Sequence, residues 1–174
     1  MVYNGTMTKA HSTYQLLRSI SFQKATSDVV TPWDLAIQMV DAIPENLFNT
    51  NVVVPGSGFG TFALALVHRG WEPSKITCIE IDPAFALISQ KRVGSFGVKI
   101  VHADFLAWNP DMQFDVVITN VPFQAPTPEG QERNIGRQLW HQFIEKSLEL
   151  TKDNGYTSLI TPATWLQRKP NSPS

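Results

Sequence analysis

The sequence predicts an α/β domain built on a mainly parallel sheet with helices on both faces. Its 174 residues suit a single compact domain, and 43% of them are hydrophobic, which is ample for a core. Short apolar runs bounded by turn residues alternate along the chain with segments of helical periodicity. Such alternation is typical of parallel sheets, in which helices form the crossovers. The composition excludes a disordered or collagen-like chain.

The first predicted helix begins at Thr31. The threonine can cap the helix, Pro32 suits the first helical position, and Asp34 completes a spacing similar to a capping box. Apolar residues then recur at helical spacing as far as Ile43.

Five strands and three further helices are predicted after this helix. The strands are 51–54, 75–80, 98–102, 114–119 and 156–160, and the helices lie near 59–69, 84–93 and 135–150. A polar lead-in, 1–25, precedes the domain, which is predicted to span 26–168. The Pro/Ser-rich tail 169–174 is predicted to be disordered. Because ligands of parallel sheets bind at the carboxyl ends of the strands, functional residues are expected directly after each strand.

Charge and cysteine content restrict the possible functions. Fourteen Lys and Arg against fifteen Asp and Glu give a net charge of −1, with no basic stripe, so the chain alone is expected to hold nucleic acid weakly. No apolar run reaches the roughly 20 residues that span a bilayer, and the polar start lacks a secretory signal. A cytoplasmic protein without a membrane partner is expected. The single cysteine, Cys78, is expected in the core, and the scattered histidines predict no metal site.

A glycine loop, residues 55–61, follows the first predicted strand. Gly56 and Gly58 let the backbone turn sharply and approach a ligand at the start of a helix. Thr61 stands where the dinucleotide fingerprint has glycine or alanine, which counts against NAD and FAD. A plain tight turn remains an alternative interpretation.

Acidic residues follow the second and third predicted strands. Glu80 lies 22 residues after Gly58, the interval at which a carboxylate reaches a ribose diol. Asp82 is expected only to cap the helix that begins at Pro83, and capping by Glu80 is the alternative to ribose binding. Asp104 can accept the amine of an adenine ring, unless it is an ordinary turn aspartate.

An asparagine with a proline-stiffened turn follows the fourth predicted strand. The tetrad is Asn120-Val121-Pro122-Phe123. An amide, a turn and an aromatic ring together at a strand end are a rarer arrangement than the acidic turns. A purely structural turn is the alternative.

Taken in order, these segments resemble the S-adenosylmethionine-dependent amino-methyltransferases, and most closely the gamma class of DNA adenine methyltransferases. The resemblance covers about residues 22–167. It rests on Thr31-Pro32, the glycine loop, Ile79-Glu80-Ile81-Asp82-Pro83, Ala103-Asp104-Phe105-Leu106, the tetrad, and the stretch from Asn154-Gly155-Tyr156 through Ile160-Thr161-Pro162 to Leu166. It implies a Rossmann-like class I methyltransferase fold that lacks the last strands, with S-adenosylmethionine as cofactor.

The resemblance also implies roles for the residues of these motifs. The catalytic residues would be Asn120, Val121, Pro122 and Phe123, and the cofactor would contact Thr31, Pro55, Gly56, Gly58, Glu80, Ile81, Asp104 and Phe105. The Asn120 side-chain oxygen and the Val121 carbonyl would accept the two hydrogens of the adenine amine. Phe123 would stack on a base flipped out of the duplex, and Phe105 would cover the adenine ring of the cofactor.

The sequence departs from this family's pattern in three ways. Residues 52–55 carry no carboxylate, although the family has one there for the methionine ammonium group. Val121 stands where the family has proline, and Phe123 where tyrosine is commoner. The third departure is size, which predicts a catalytic-domain fragment that needs a recognition domain or subunit to bind DNA tightly. Strand 156–160 would then be an exposed edge suited to self-association.

Two other functions remain open at this stage. A ribosomal RNA adenine dimethylase-like enzyme shares the glycine loop, the Glu-x-Asp segment and a similar tetrad, but the Thr31-Pro32 entry and residues 160–162 favour the DNA branch. A non-catalytic S-adenosylmethionine-binding remnant or subunit would explain the missing carboxylate. The presence of Glu80, Asp104 and Asn120 argues against it.

Overall fold

The described residues form a five-stranded sheet flanked by helices. The computed structural model describes residues 30–122 and 139–162, which belong, apart from Val30, to the compact unit Thr31–Ser174. In chain order the elements are α1 (Trp33–Asp41), β1 (Val52–Pro55), α2 (Thr61–His68), β2 (Ile76–Glu80), α3 (Pro83–Arg92), β3 (Lys99–His102), β4 (Phe114–Asn120), α4 (Trp140–Leu150) and β5 (Thr151–Ile160). No helix within these two ranges is long and apolar enough to cross a membrane.

The sheet is parallel, with its strands in the order β3-β2-β1-β4-β5. The central strand, β1, is buried at all four residues because its Val-Val-Val run is apolar on both faces. The chain builds β2 and β3 on one side of β1 and then crosses to place β4 on the other side. This reversal lies at the carboxyl ends of β1 and β4, the position at which sheets of this kind bind ligands. The predicted α/β fold with a parallel sheet is confirmed.

A hydrophobic layer covers each face of the sheet. Val52 and Val54 point into the layer that contains Ala36 of α1 and Leu66 of α2. Val53 points into the opposite layer, because successive side chains of a strand alternate between faces. Full burial of a valine side chain contributes about 1.5–3 kcal/mol, so the three consecutive valines fix β1 firmly between the layers.

The first helix begins at Trp33, so the predicted capping role of Thr31 is wrong. Pro32 occupies the N-cap position with an extended ψ of 143° and makes no side-chain capping hydrogen bond. The Pro32 carbonyl accepts the first helical hydrogen bond, from Ala36 N, at 3.0 Å. Because the extended Pro32 separates it from the helix, Thr31 lies one residue too early to cap.

The strand predictions hold within one residue at each end for β1 to β4, and β5 is the exception. β5 begins at Thr151, directly after α4, whereas the sequence predicted a start at Tyr156. The predicted helices near 59–69 and 84–93 correspond to α2 and α3. Of the predicted helix 135–150, residues 135–138 lie outside the described residues.

The first half of β5 is irregular. Thr151 lies opposite Phe114 and Tyr156 lies opposite Val116, so five steps along β5 match two along β4. Gly155 sits in this irregular segment, where a Cβ atom would be 2.8 Å from the Asp115 carbonyl oxygen and 2.7 Å from Thr151 Cγ2. The close approach of backbone therefore requires glycine at position 155.

We expect Gly155→Ala to lower the free energy of unfolding by about 1–3 kcal/mol, the cost typical of an overpacked site. Gly94→Ala is the control, because a Cβ there meets only the flexible Gln90 side chain. Urea unfolding followed by circular dichroism measures both variants. Equal stability of the two variants would show that the β5 backbone relaxes freely around residue 155.

Candidate active site

Hydrogen bonds join the carboxyl ends of β1, β2 and β4 at one edge of the sheet. The buried Thr119 hydroxyl, near the end of β4, donates to the Pro55 carbonyl at the end of β1 over 2.6 Å. The Ser57 N–H, in the glycine loop, donates to the Ile79 carbonyl of β2 at 3.0 Å. The glycine loop therefore lies between the end of β2 and the end of β4.

The glycine loop adopts a backbone conformation that L-residues avoid. Gly56, Gly58 and Gly60 have φ values of +54°, +52° and +75°. A left-handed conformation costs a residue with a side chain roughly 1–2 kcal/mol. A Cβ at Gly58 would meet nothing within 4 Å, whereas one at Gly60 would lie 3.2 Å from Ser89 Oγ. The loop therefore leaves open space beside Gly58 and packs closely at Gly60.

The Glu80 carboxylate fixes the glycine loop to the end of β2. One oxygen accepts the Gly58 N–H at 2.7 Å, and the other accepts the Asp82 N–H at 2.9 Å. The residue is only 5% exposed, so these bonds offset much of the cost of burying the charge. Each carboxylate oxygen has a second lone pair. Glu80 can therefore hold the loop and still accept hydrogen bonds from two neighbouring hydroxyl groups.

The structure separates the roles of Glu80 and Asp82. Asp82 Oδ1 accepts the backbone N–H groups of Ala84 and Phe85, at 2.7 and 3.1 Å, and so caps α3 as predicted. Glu80 makes no such cap. Between them, the Ile81 side chain is 56% exposed. An apolar side chain left open beside the carboxylate suits contact with a ligand ring.

The segment after β3 divides into an exposed carboxylate and a buried ring. Asp104 Oδ1 accepts the Leu106 N–H at 2.9 Å, and the side chain remains exposed. Phe105 is 3% exposed and packs against Phe143 of α4, with ring centroids 5.1 Å apart. Its ring thus belongs to the core, an arrangement that does not favour the predicted stacking on an adenine ring. Asp104 is the residue of this pair that faces outward.

The tetrad begins at the last residue of β4. Asn120 is half-buried and lies opposite Ile160 in the register with β5. The next residue, Val121, is buried, and its N–H donates to the Ile160 carbonyl at 3.1 Å. Pro122 is half-buried, and Phe123 lies outside the described residues. The first part of the tetrad is therefore fixed between β1 and β5, directly beside the glycine loop.

Three further residues of interest are buried, namely Thr31, Val54 and Cys78. Thr31 is buried just before α1, and its predicted contact with the cofactor stays a prediction. Val54, in the stretch that lacks the family's carboxylate, is fully buried in the core. Burial raises the pKa of the Cys78 thiol to about 12, so the thiol stays protonated at neutral pH. Cys78 is a core residue, as predicted.

Side chains that the sequence interpretation missed also contact the glycine loop. Ser89 Oγ donates to the Gly58 carbonyl at 2.7 Å, and Arg92 donates to the Phe59 carbonyl at 2.6 Å. The two side chains lie three residues apart on α3, which places them on one helix face. Their spacing is the only feature of the sequence that indicates a shared helix face. Many solvent-facing helix residues have the same spacing, so it does not identify a contact with the loop. Thr119, directly before the tetrad, had a clearer positional signal.

The fold is that of the class I S-adenosylmethionine-dependent methyltransferases. A Listeria monocytogenes protein assigned to that class superposes with a TM-score of 0.73 at 16% identity, covering 97% of this chain and 58% of the other. A glycopeptide N-methyltransferase, MtfA, solved with S-adenosylmethionine, superposes with a TM-score of 0.55 at 15% identity, covering 80% of this chain and 58% of the other.

Residues 74–173, more than half of the chain, match the Eco57I restriction-modification methylase family. The chain belongs to this family, and its members are S-adenosylmethionine-dependent methyltransferases. The matched segment includes Glu80, Asp104 and the tetrad, and begins after the glycine loop.

The individual relatives include Type II methyltransferases and tRNA adenine methyltransferases. The Type II methyltransferase M.CvrRI of Paramecium bursaria Chlorella virus XZ-6E is 32% identical over 72% of this chain and 33% of its own length. M.VspI of Vibrio sp. (strain 343) is 26% identical over 84% of this chain and 40% of its own length. A tRNA1(Val) (adenine(37)-N6)-methyltransferase of Flavobacteriaceae bacterium (strain 3519-10) is 27% identical over 64% of this chain and 51% of its own length. The chain spans less than half of the length of M.CvrRI and of M.VspI.

We expect Glu80→Gln to destabilise the protein even without a ligand. Both carboxylate oxygens accept backbone N–H groups, so a glutamine must turn its own NH₂ group toward one of these donors. A buried donor left without an acceptor costs about 1–3 kcal/mol, which urea unfolding measures. Glu145→Gln, on the exposed face of α4, is the control. Wild-type stability for Glu80→Gln would contradict the clamping role.

Proposed function

We propose that this chain binds S-adenosylmethionine at the carboxyl edge of the sheet and transfers its methyl group to the exocyclic amine of adenine in DNA. The observation that carries the proposal is the hydrogen bond from Thr119 to the Pro55 carbonyl. It keeps Asn120 next to the glycine loop. A methyl donor bound at the loop and a target amine bound at Asn120 would therefore be neighbours.

The donor side of the proposal rests on Glu80. Its remaining lone pairs match the two hydroxyl groups of a ribose, while Ile81 offers an apolar surface and Asp104 an exposed acceptor. The open space beside Gly58 allows a ligand to approach the backbone. S-Adenosylmethionine would supply a methyl group bound to a positively charged sulfur. A nitrogen lone pair can attack the carbon of this methyl group directly.

The acceptor side rests on the first two residues of the tetrad. The amine of adenine is a weak nucleophile because its lone pair is delocalised into the ring. The side-chain oxygen of Asn120 and the carbonyl of Val121 would accept its two hydrogens, which localises the lone pair and orients it. Phe123, if it stacks as predicted, would hold the flipped base.

Val121 compensates in part for the proline that the resemblance led us to expect at this position. Proline stiffens the backbone but has no N–H group. Here the Val121 N–H donates to the Ile160 carbonyl of β5. That bond restrains the same segment of backbone, so valine at this position is compatible with the proposed catalysis.

DNA is the preferred substrate class in this proposal, and RNA is the alternative. The family match and the two Type II methyltransferases support DNA, whereas the tRNA adenine methyltransferases among the relatives support RNA. With a net charge of −1 the chain alone should bind duplex DNA no tighter than the weak end of non-specific binding, about 10⁻⁴ M. Methyl incorporation into matched DNA and tRNA substrates distinguishes the two.

Loss of the Glu80 carboxylate should weaken binding of S-adenosylhomocysteine by about 1.5–3 kcal/mol, the contribution of a charged hydrogen bond. Isothermal titration calorimetry of wild type and Glu80→Ala measures the loss. The 2′-deoxy analogue of the ligand distinguishes a direct contact of Glu80 with the ribose from an indirect effect through a disordered loop. If Glu80 binds the diol, the loss of affinity from Glu80→Ala and the loss from removing the 2′-hydroxyl are non-additive. Additive losses would remove the ribose assignment.

Asn120→Ala should abolish methyl transfer while leaving the affinity for S-adenosylhomocysteine nearly unchanged. The amide acts on the amine in the transition state, so its loss falls on turnover. Turnover is measured as the incorporation of radiolabelled methyl groups into adenine-containing duplex DNA, with S-adenosylmethionine at saturating concentration. Asn109→Ala, in an exposed loop, is the matched control. Wild-type turnover by Asn120→Ala would mean that the tetrad is only a turn.

A further inference from the structure

Helix α3 holds the glycine loop through two side chains near its C-terminal end. Ser89 is 0% exposed, and its hydroxyl donates to the Gly58 carbonyl at 2.7 Å. One turn later, Arg92 donates to the Phe59 carbonyl at 2.6 Å. Successive carbonyl groups of the loop are therefore bound from the same helix.

The peptide groups on both sides of Gly58 are fixed by different elements. The Gly58 N–H is bound by Glu80 at the end of β2, and the Gly58 carbonyl is bound by Ser89 on α3. Glu80 in turn cannot rotate freely, because its other oxygen accepts the Asp82 N–H. Since Asp82 caps α3, the loop, the carboxylate and the helix form one connected unit.

We propose that Ser89 is a positioning residue for the cofactor site, an inference that rests on the proposed function. Its hydroxyl fixes the orientation of the Gly58–Phe59 peptide and so the spacing between the glycine loop and the Glu80 carboxylate. Without the hydrogen bond from Ser89, Gly58, whose φ is +52°, would have many alternative backbone conformations. Ordering the loop in advance removes that entropy cost from ligand binding.

The packing around Ser89 explains why a small hydroxyl residue occupies this position. A Cβ on Gly60 would already lie 3.2 Å from Ser89 Oγ and 3.2 Å from Val93 Cγ2. Ser89 is 0% exposed and its Oγ lies 2.7 Å from the Gly58 carbonyl oxygen, so a longer side chain has little room there, whereas alanine would fit but donate nothing. Serine both fits this position and reaches the Gly58 carbonyl.

The test compares Ser89→Ala with Ser147→Ala in the 174-residue chain. Both serines are 0% exposed on helices, but Ser147 Oγ has no hydrogen-bond partner among the described residues. We expect Ser89→Ala to weaken binding of S-adenosylmethionine and S-adenosylhomocysteine equally, by about 2- to 12-fold, the range for one neutral hydrogen bond. KM for the cofactor should rise by a similar factor with kcat unchanged at saturation. Ser147→Ala should change neither.

Amide hydrogen exchange in the free protein supplies a readout that does not depend on the ligand. Ser89→Ala should accelerate exchange of the Gly58 N–H by about the same 2- to 12-fold factor, with β1 amides unchanged. Unchanged exchange and unchanged affinity in Ser89→Ala would overturn the proposal, as would equal losses in Ser147→Ala. Absence of binding by the wild type would instead refute the proposed function, and with it a role for Ser89 in binding.

Discussion

A buried carboxylate that must find hydrogen-bond donors determines the shape of this site. Glu80 stands at the end of β2 with only 5% of its surface exposed, and an unpaired charge there would be strongly unfavourable. Two backbone N–H groups satisfy it, one from the glycine loop and one from the start of α3. The same bonds that solvate the charge thus fix the loop and the helix on either side of it.

The rest of the site follows from that arrangement and from the strand order. The loop reaches Glu80 only because its glycines accept left-handed conformations, and it reaches β4 through the Thr119 hydroxyl. Because β1 lies between β2 and β4, Glu80 and Asn120 stand at strand ends on either side of the glycine loop that follows β1. In the proposed function, the methyl donor and the target amine would therefore meet at the point where the strand order reverses.

The sequence predicted the fold and the strand-end positions well because both depend on local patterns. Apolar runs bounded by turn residues located β1 to β4 to within one residue, and the motif after β2 identified Glu80 and Asp82. The start of β5 was missed because Lys152–Gly155 is polar and ends in Asn-Gly, a typical turn signal. In the structure these residues form the irregular first half of a strand.

The features of the site that the sequence does not specify depend on tertiary packing. Phe105 follows an exposed aspartate, but its own ring turns into the core against Phe143, a tertiary contact with no local signal. Ser89 contacts Gly58 across 31 residues, and a serine in a helix gives no hint of such a contact. Thr31 failed as a cap because Pro32 is extended. Local patterns located the candidate functional groups, and packing determined which of them are exposed.

The most direct measurement is a crystal structure of this chain with S-adenosylhomocysteine. We expect the ribose hydroxyls within hydrogen-bond distance of Glu80, the glycine loop unchanged with Gly58 still bound to Glu80 and Ser89, and the ligand sulfur facing Asn120. A ligand bound elsewhere, or a loop released from Glu80 to admit it, would contradict this arrangement.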